Sequence, residues 1–237
     1  VIRETPHRLV LWDVDLTLVD GARLGRAWYA TALRRLTGLE LRHPPTFAGR
    51  TERAVTLEVF AAHGLDTGNG LVEAFFAELV AVAAEGAELL AARGRALPGA
   101  AAALTALAAL PGVTQSVVTG NLRAIARQKL SVFGLDRHID FAIGGYGDAS
   151  LDRADLVAAA TARASAGRAV PYGGEAVVVL GDTPADVEGA LRNGAVAVGV
   201  ATGLCAAEDL RAAGAHAVLP DLRDTDAVLD AVLGRST

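Results

Sequence analysis

The sequence predicts an α/β protein, a doubly wound parallel sheet with an α-helical segment inserted after its first strand. Three observations predict it. Apolar runs of strand length recur along the chain, most of them nearly continuous in valine, isoleucine, leucine and alanine, as strands covered on both faces require. Helical patterns separate these runs, and alternating strand and helix implies parallel strands joined by right-handed crossovers. The alternation is interrupted once, by residues 20–93, which contain no convincing strand.

Taken in order, the strand-like runs are "RLVLWDVD" (8–15), "TQSVVTGN" (114–121), "IDFAIGG" (139–145), "EAVVVLGDT" (175–183), "AVAVGVATG" (195–203) and "HAVLPD" (216–221). The helical patterns between and after them cover 99–110, 122–133, 153–166, 184–193, 206–213 and 224–233. Within 20–93 the stretches "ARLGRAWYATALRRLTG", "ERAVTLEVFAAHG" and "GLVEAFFAELVAVAAEGAELLAARG" all read as helices. Gly38 and Gly64 follow apolar periodic stretches, as helix-ending glycines do. The expected division is therefore a core of residues 1–19 and 94–237, with 20–93 as a helical unit inserted into it.

Composition narrows the function. The 237 residues suit one large domain or a core with a smaller insertion. Mean hydropathy is +0.35, which the abundance of alanine and valine accounts for. The most apolar stretch, Pro98 to Gly112, is too short for a bilayer of about 30 Å. A net charge of −5 gives no general attraction to nucleic acid or to an anionic membrane. A single cysteine, Cys205, excludes an internal disulfide and a cysteine-rich metal site. The opening "VIRETPHRLV" lacks the plan of a signal peptide, and the chain contains no methionine, so a processed or trimmed start and a cytoplasmic location are expected. The expected assembly is a monomer or homodimer.

Ligands of open α/β sheets bind beyond the carboxyl ends of the strands. The first strand ends in Asp13 and Asp15, followed by Thr17. The second ends in Thr119, Gly120 and Asn121. A later one ends in Gly181, Asp182 and Thr183, with Asp186 four residues beyond Asp182. In an extended chain Asp13 and Asp15 would face the same way, and they would diverge if the chain curls. Crowded carboxylates need a cation or a shared proton. Mg²⁺ suits an all-oxygen set, and the lack of histidine among these groups disfavours zinc.

These residues carry a resemblance. "DVDLT", "VVTGN" and "GDTPAD", in this order and each ending an apolar strand, resemble the first, second and fourth motifs of the haloacid dehalogenase superfamily of aspartate-nucleophile phosphohydrolases. The inserted helices lie where the helical cap shared by phosphoglycolate phosphatase and β-phosphoglucomutase is found. The resemblance covers essentially the whole chain. It implies a Rossmann-like core and a Mg²⁺-dependent phosphatase acting on a small phosphorylated metabolite. Asp13 would be the nucleophile and Asp15 the general acid, then base. Mg²⁺ would be held by the Asp13 carboxylate, the Asp15 backbone carbonyl and Asp182, with Asp186 and Thr17 in support. Thr119 and the N–H groups of Gly120 and Asn121 would hold the phosphoryl oxygens.

The sequence departs from the pattern at two places. The third motif is usually a lysine, but "GDASLDRADLVAAA" has none, and Arg153 is the candidate in its place. Leu16 stands where many members have glycine. Lys129 lies mid-helix in "AIARQKLSVFG" and is given no role. Arg50, in the turn that opens the second inserted helix, is expected to reach the substrate from the cap, although Arg50, Thr51, Glu52 and Arg53 also read as a solvated cluster. Asp15 disfavours a dehalogenase, which lacks an equivalent acid. A phosphomutase shares the same motifs, and a non-catalytic binder of phosphorylated ligands is the remaining alternative.

Overall fold

The computed structural model describes residues 7–235. Most of the opening stretch considered above for a leader lies outside the described residues. The core is a six-stranded parallel sheet. Its strands, in chain order, are β1 (Arg8–Trp12), β4 (Val113–Thr119), β5 (Gly145–Tyr146), β6 (Val177–Gly181), β7 (Val196–Val200) and β8 (Ala217–Leu219). They lie side by side as β5-β4-β1-β6-β7-β8. Helices α5 (Ala100–Ala108), α6 (Arg123–Val132), α7 (Arg153–Ser165), α8 (Pro184–Arg192), α9 (Ala207–Ala212) and α10 (Thr225–Leu233) connect and cover them.

Strand β1 is central, with Leu11 paired to Ser116 on one side and to Val179 on the other. Its side chains alternate between faces. Val10 and Trp12 join an apolar cluster with Leu104, Leu107 and Val228, from α5 and α10. Leu9 and Leu11 join a second one with Leu156, Val157 and Val187, from α7 and α8. A strand buried on both faces has to be apolar throughout, which is why these runs show no polar alternation. The indole of Trp12 remains satisfied, donating to Gln115 Oε1 at 3.1 Å.

The expected strand over 139–145 is much shorter than its apolar pattern suggests. Only Gly145–Tyr146 pairs, with Val118 and Thr119. The Asp140 carboxylate accepts the Ala142 amide at 2.9 Å and turns the chain before a ladder can begin.

Between β1 and α5 lie four helices, α1 (Leu24–Thr37), α2 (Glu52–Ala62), α3 (Leu71–Glu85) and α4 (Ala87–Arg93). A two-residue antiparallel ribbon, β2 (Val19–Asp20) with β3 (Arg95–Ala96), closes their base. This ribbon is too short to leave a periodic signal, and Asp20 lies inside the stretch expected to hold no strand. The cap builds its own apolar cluster from Trp28, Tyr29, Leu33, Phe60, Phe75 and Leu79, and that cluster continues onto Leu122 and Ile125 at the start of α6. No helix among the described residues is long and apolar enough to cross a membrane.

The cap rests directly on the carboxyl end of the sheet. The Glu52 amide donates to the Gly120 carbonyl at 2.8 Å, and the Arg53 amide donates to the Gly147 carbonyl at 2.8 Å. Glycine is required at position 120, where a Cβ would come within 2.0 Å of the Arg50 carbonyl oxygen.

Candidate active site

Three adjacent strands, β4, β1 and β6, end at one place. Asp13 extends β1 by one residue, its amide donating to the Leu180 carbonyl at 2.8 Å. Its buried carboxylate meets those of Asp182 and Asp186, with one ligand atom from each within 4.8 Å of the others. Thr17 Oγ1 lies 3.5 Å from Asp182 Oδ1. A loop crosses just above: a Cβ on Gly203 would stand 1.8 Å from Asp182 Oδ2, so a side chain there would displace the Asp182 carboxylate.

Arg153, the first residue of α7, reaches into this cluster. Its Nη2 is 2.5 Å from Asp13 Oδ1 and 2.5 Å from Asp186 Oδ1, and it donates to the Val118 carbonyl at 3.3 Å. The contact with Asp186 Oδ1 is ionic, since that oxygen accepts no hydrogen bond. Asp186 Oδ2 is spent on the start of α8, accepting the Thr183 amide at 3.1 Å and the Thr183 hydroxyl at 2.7 Å. It thus caps a helix and anchors the guanidinium at once.

Asp15 does not join the cluster. The chain curls after Asp13, with Leu16 at φ 60°, and Asp15 forms an isolated bridge with Val19. Its carboxylate meets a different cation: Lys129 Nζ lies 2.7 Å from each of its oxygens. Asn121 Nδ2 donates to Asp15 Oδ2 at 2.7 Å and to Thr119 Oγ1 at 2.8 Å. The two like charges at the end of β1 are therefore parted, each with its own partner. Neither Thr119 nor Asn121 caps α6, whose first residue is Arg123 and whose start has no side-chain cap, leaving the initial amides of that helix without a side-chain acceptor.

Burial raises the Asp13 pKa above the usual carboxylate range, with Arg153 opposing and Asp186 and Asp15 adding to the shift. Burial raises that of Asp182 as well, and the charges of Asp13 and Asp186 push it the same way. Burial opposes the charge on Arg153, but Asp186 and Asp13 outweigh it and hold the guanidinium charged. One arginine among three packed carboxylates leaves excess negative charge, which a second cation would offset.

A model of haloacid dehalogenase-like hydrolases matches residues 10–191. The chain belongs to that family. Among solved structures, a hydrolase from Pseudomonas syringae is 22% identical, with 94% of this chain and 98% of that one covered at a TM-score of 0.66. A predicted phosphatase from Clostridium acetobutylicum is 19% identical, with 94% and 99% covered at a TM-score of 0.66. A predicted phosphoglycolate phosphatase from Haemophilus somnus is 16% identical, with 95% and 99% covered at 0.61. At these identities the likeness is one of fold. No curated protein matches.

Arg50 is not brought to the cluster. Its guanidinium turns back over the cap, to Glu58 and to the carbonyls of Thr46, at 3.4 Å, and Ala54, at 3.3 Å. Only its backbone carbonyl packs on Gly120. Two residues near Asp15 were missed from sequence, Lys129 and Glu52. Lys129 had a legible signal, since it shares the buried face of α6 with Ile125, Ala126 and Leu130. Glu52 is buried at the start of α2, and nothing local in the sequence separates it from a solvated first-turn acid.

Proposed function

We propose that the chain is a Mg²⁺-dependent phosphatase of a small phosphorylated metabolite, working through an aspartyl-phosphate on Asp13. One observation carries the reading: the Asp13 carboxylate ends the central strand, buried, with Arg153 Nη2 2.5 Å from one oxygen and two further carboxylates around it. A carboxylate held so firmly, and surrounded by charge that suits a cation and a phosphate, is arranged for attack on phosphorus.

The donor set fits a hard divalent ion, being all oxygen, buried and short of positive charge. The carboxylates of Asp13 and Asp182 and the backbone carbonyl of Asp15 would hold it, with Asp186 and Thr17 in support. Bound there, it supplies charge neutralisation to the phosphoryl oxygens. Asp13 attacks phosphorus, and the ester oxygen leaves with a proton from Asp15. Asp15 then takes a proton from water as that water attacks the acyl phosphate, which releases inorganic phosphate and restores Asp13. Thr119 and the amides of Gly120 and Asn121 receive phosphoryl oxygens, and Arg153 offsets the charge gathered on Asp13. The helical unit 20–93 shields the intermediate from bulk water, while 1–19 with 94–237 does the chemistry.

The test is phosphate release from a panel of phosphorylated metabolites. Turnover should require Mg²⁺, stop with chelator and vanish in Asp13→Asn. Mg²⁺ should also raise the Tm of the wild type, and raise it less in Asp182→Asn. Release in excess chelator, or undiminished turnover by Asp13→Asn, would overturn the reading.

A further inference from the structure

Lys129 is a buried cation that the phosphatase reading leaves without a task. It projects from α6 toward Asp15, and its Nζ lies 2.7 Å from Asp15 Oδ1, 2.7 Å from Asp15 Oδ2 and 2.8 Å from Asn121 Oδ1. An ammonium has three donors, and these acceptors take all of them. None remains for a substrate. Asn121 completes the frame from the other side, donating to Asp15 Oδ2 at 2.7 Å and to Thr119 Oγ1 at 2.8 Å. The lysine side chain is 9% exposed and that of Asp15 is 42% exposed, so the cation stands behind the carboxylate and the carboxylate faces outward. The Trp28 ring, on α1 of the cap, has its centroid 5.8 Å from Nζ.

We infer that Lys129 is a positioning residue for Asp15, fixing the place and orientation of its carboxylate beside the Thr119–Asn121 turn. The inference rests on the acid–base reading of Asp15. A group that passes a proton to a leaving oxygen has to stand within about 2.6–3.2 Å of it, and a misplacement of about 1 Å can cost about 10²-fold in rate. A free aspartate side chain samples several rotamers. Here three charge-assisted hydrogen bonds from two residues select one. Trp28 brings the cap into the same frame, because its ring flanks the ammonium only while α1 lies against α6.

A four-member cycle tests this: wild type, Lys129→Met, Asp15→Asn and the double variant, assayed with Mg²⁺ on a phosphate ester that the wild type turns over. Lys129→Met should lower kcat at least 10-fold and change KM less than threefold. In the Asp15→Asn background the same substitution should change kcat less than twofold, since the residue it positions is gone. Arg127→Met, an exposed charge removed from the same helix, should stay within twofold of wild type. If Lys129→Met does not fold, Lys129→Gln carries the comparison. A kcat within threefold of wild type overturns the inference, and so does a loss that persists whole in the Asp15→Asn background. Wild-type turnover by Asp15→Asn instead overturns the acid–base reading of Asp15, a separate result seen without any change at Lys129.

Discussion

At the end of β1 each aspartate has a cation of its own, Arg153 for Asp13 and Lys129 for Asp15. That division lets two carboxylates two residues apart be buried to different depths. A third carboxyl stands nearby with less compensation. Burial is the main cause that lifts the Glu52 pKa to about 7; a hydrogen bond from Tyr29 and the charge of Lys129 pull it down, and Asp15 pushes it up. A carboxyl whose folded pKa lies above its unfolded value favours the protonated folded state, so its contribution to stability is complete below the unfolded pKa and is lost as pH rises through the folded one. The window runs from 4.5 to about 7, and the loss amounts to about 3 kcal/mol at most. Glu52→Gln keeps the shape and removes the titration. Its stability relative to wild type should therefore rise between pH 5 and pH 8, as read from urea unfolding at both. A difference that does not change with pH would show that Glu52 is not held in the way its surroundings imply.

Among the elements, the turn after β1 decides where Asp15 goes, and it is made by a residue poorly suited to it. Leu16 sits at φ 60°, a region costly for a residue with a Cβ, by roughly 1–2 kcal/mol. Its amide donates to the Val19 carbonyl at 2.7 Å, and its carbonyl accepts the Thr202 hydroxyl at 2.6 Å, so both backbone groups hold the strained geometry. Leu16→Gly relieves the strain and adds about as much unfolded-chain entropy, so it should stay within about 1 kcal/mol of wild type. Leu16→Val keeps more apolar surface yet should cost about 1–2 kcal/mol, because a branched Cβ tolerates positive φ least. Denaturation midpoints order the three proteins, and a valine variant more stable than the glycine one would refute the strain argument. The core strands and helices were legible because burial on two faces leaves long apolar runs, and Asp13, Thr119 and Asp182 stood out as polar residues that end those runs, with Asp186 one helical turn beyond Asp182. The ribbon of Val19–Asp20 with Arg95–Ala96 carried no signal, since two residues have no period. Arg50 was misdirected because its guanidinium follows Glu58, eight residues on, a partner that only the turn of α2 brings near. Lys129 meets Asp15, and Glu52 comes under the influence of its charge, through packing between segments far apart in the chain, which no local pattern records.

Over the whole molecule the question is how a substrate enters. The cap lies on the mouth of the sheet, joined by backbone hydrogen bonds from Glu52 and Arg53, by Arg53 Nε donating to the Asp148 carbonyl at 2.6 Å, and by Gln128 Nε2 donating to the Ala83 carbonyl at 2.5 Å. Its apolar cluster also continues onto Leu122 and Ile125, so lifting the cap from α6 would expose apolar surface. That cost favours a narrow movement about the β2–β3 ribbon, one that separates the start of α2 from Gly120 and Gly147 and leaves the contact of α1, α3 and α4 with α6 largely in place. Such a hinge would open the edge of the cap over the Thr119–Asn121 turn and keep Trp28 beside Lys129. A reversible lock tests it. In a Cys205→Ala background, cysteines replacing Arg53 and Asp148 would tie α2 to the core at the point where the Arg53 amide already meets the Gly147 carbonyl. The oxidised protein should lose at least 10-fold in turnover and recover it on reduction, while a second lock between the exposed faces of α3 and α6 should leave turnover within threefold. If the first lock is silent, substrate reaches Asp13 without that edge lifting. If the second abolishes turnover instead, the cap swings away from α6 as one body, and the apolar seam between them opens in every cycle.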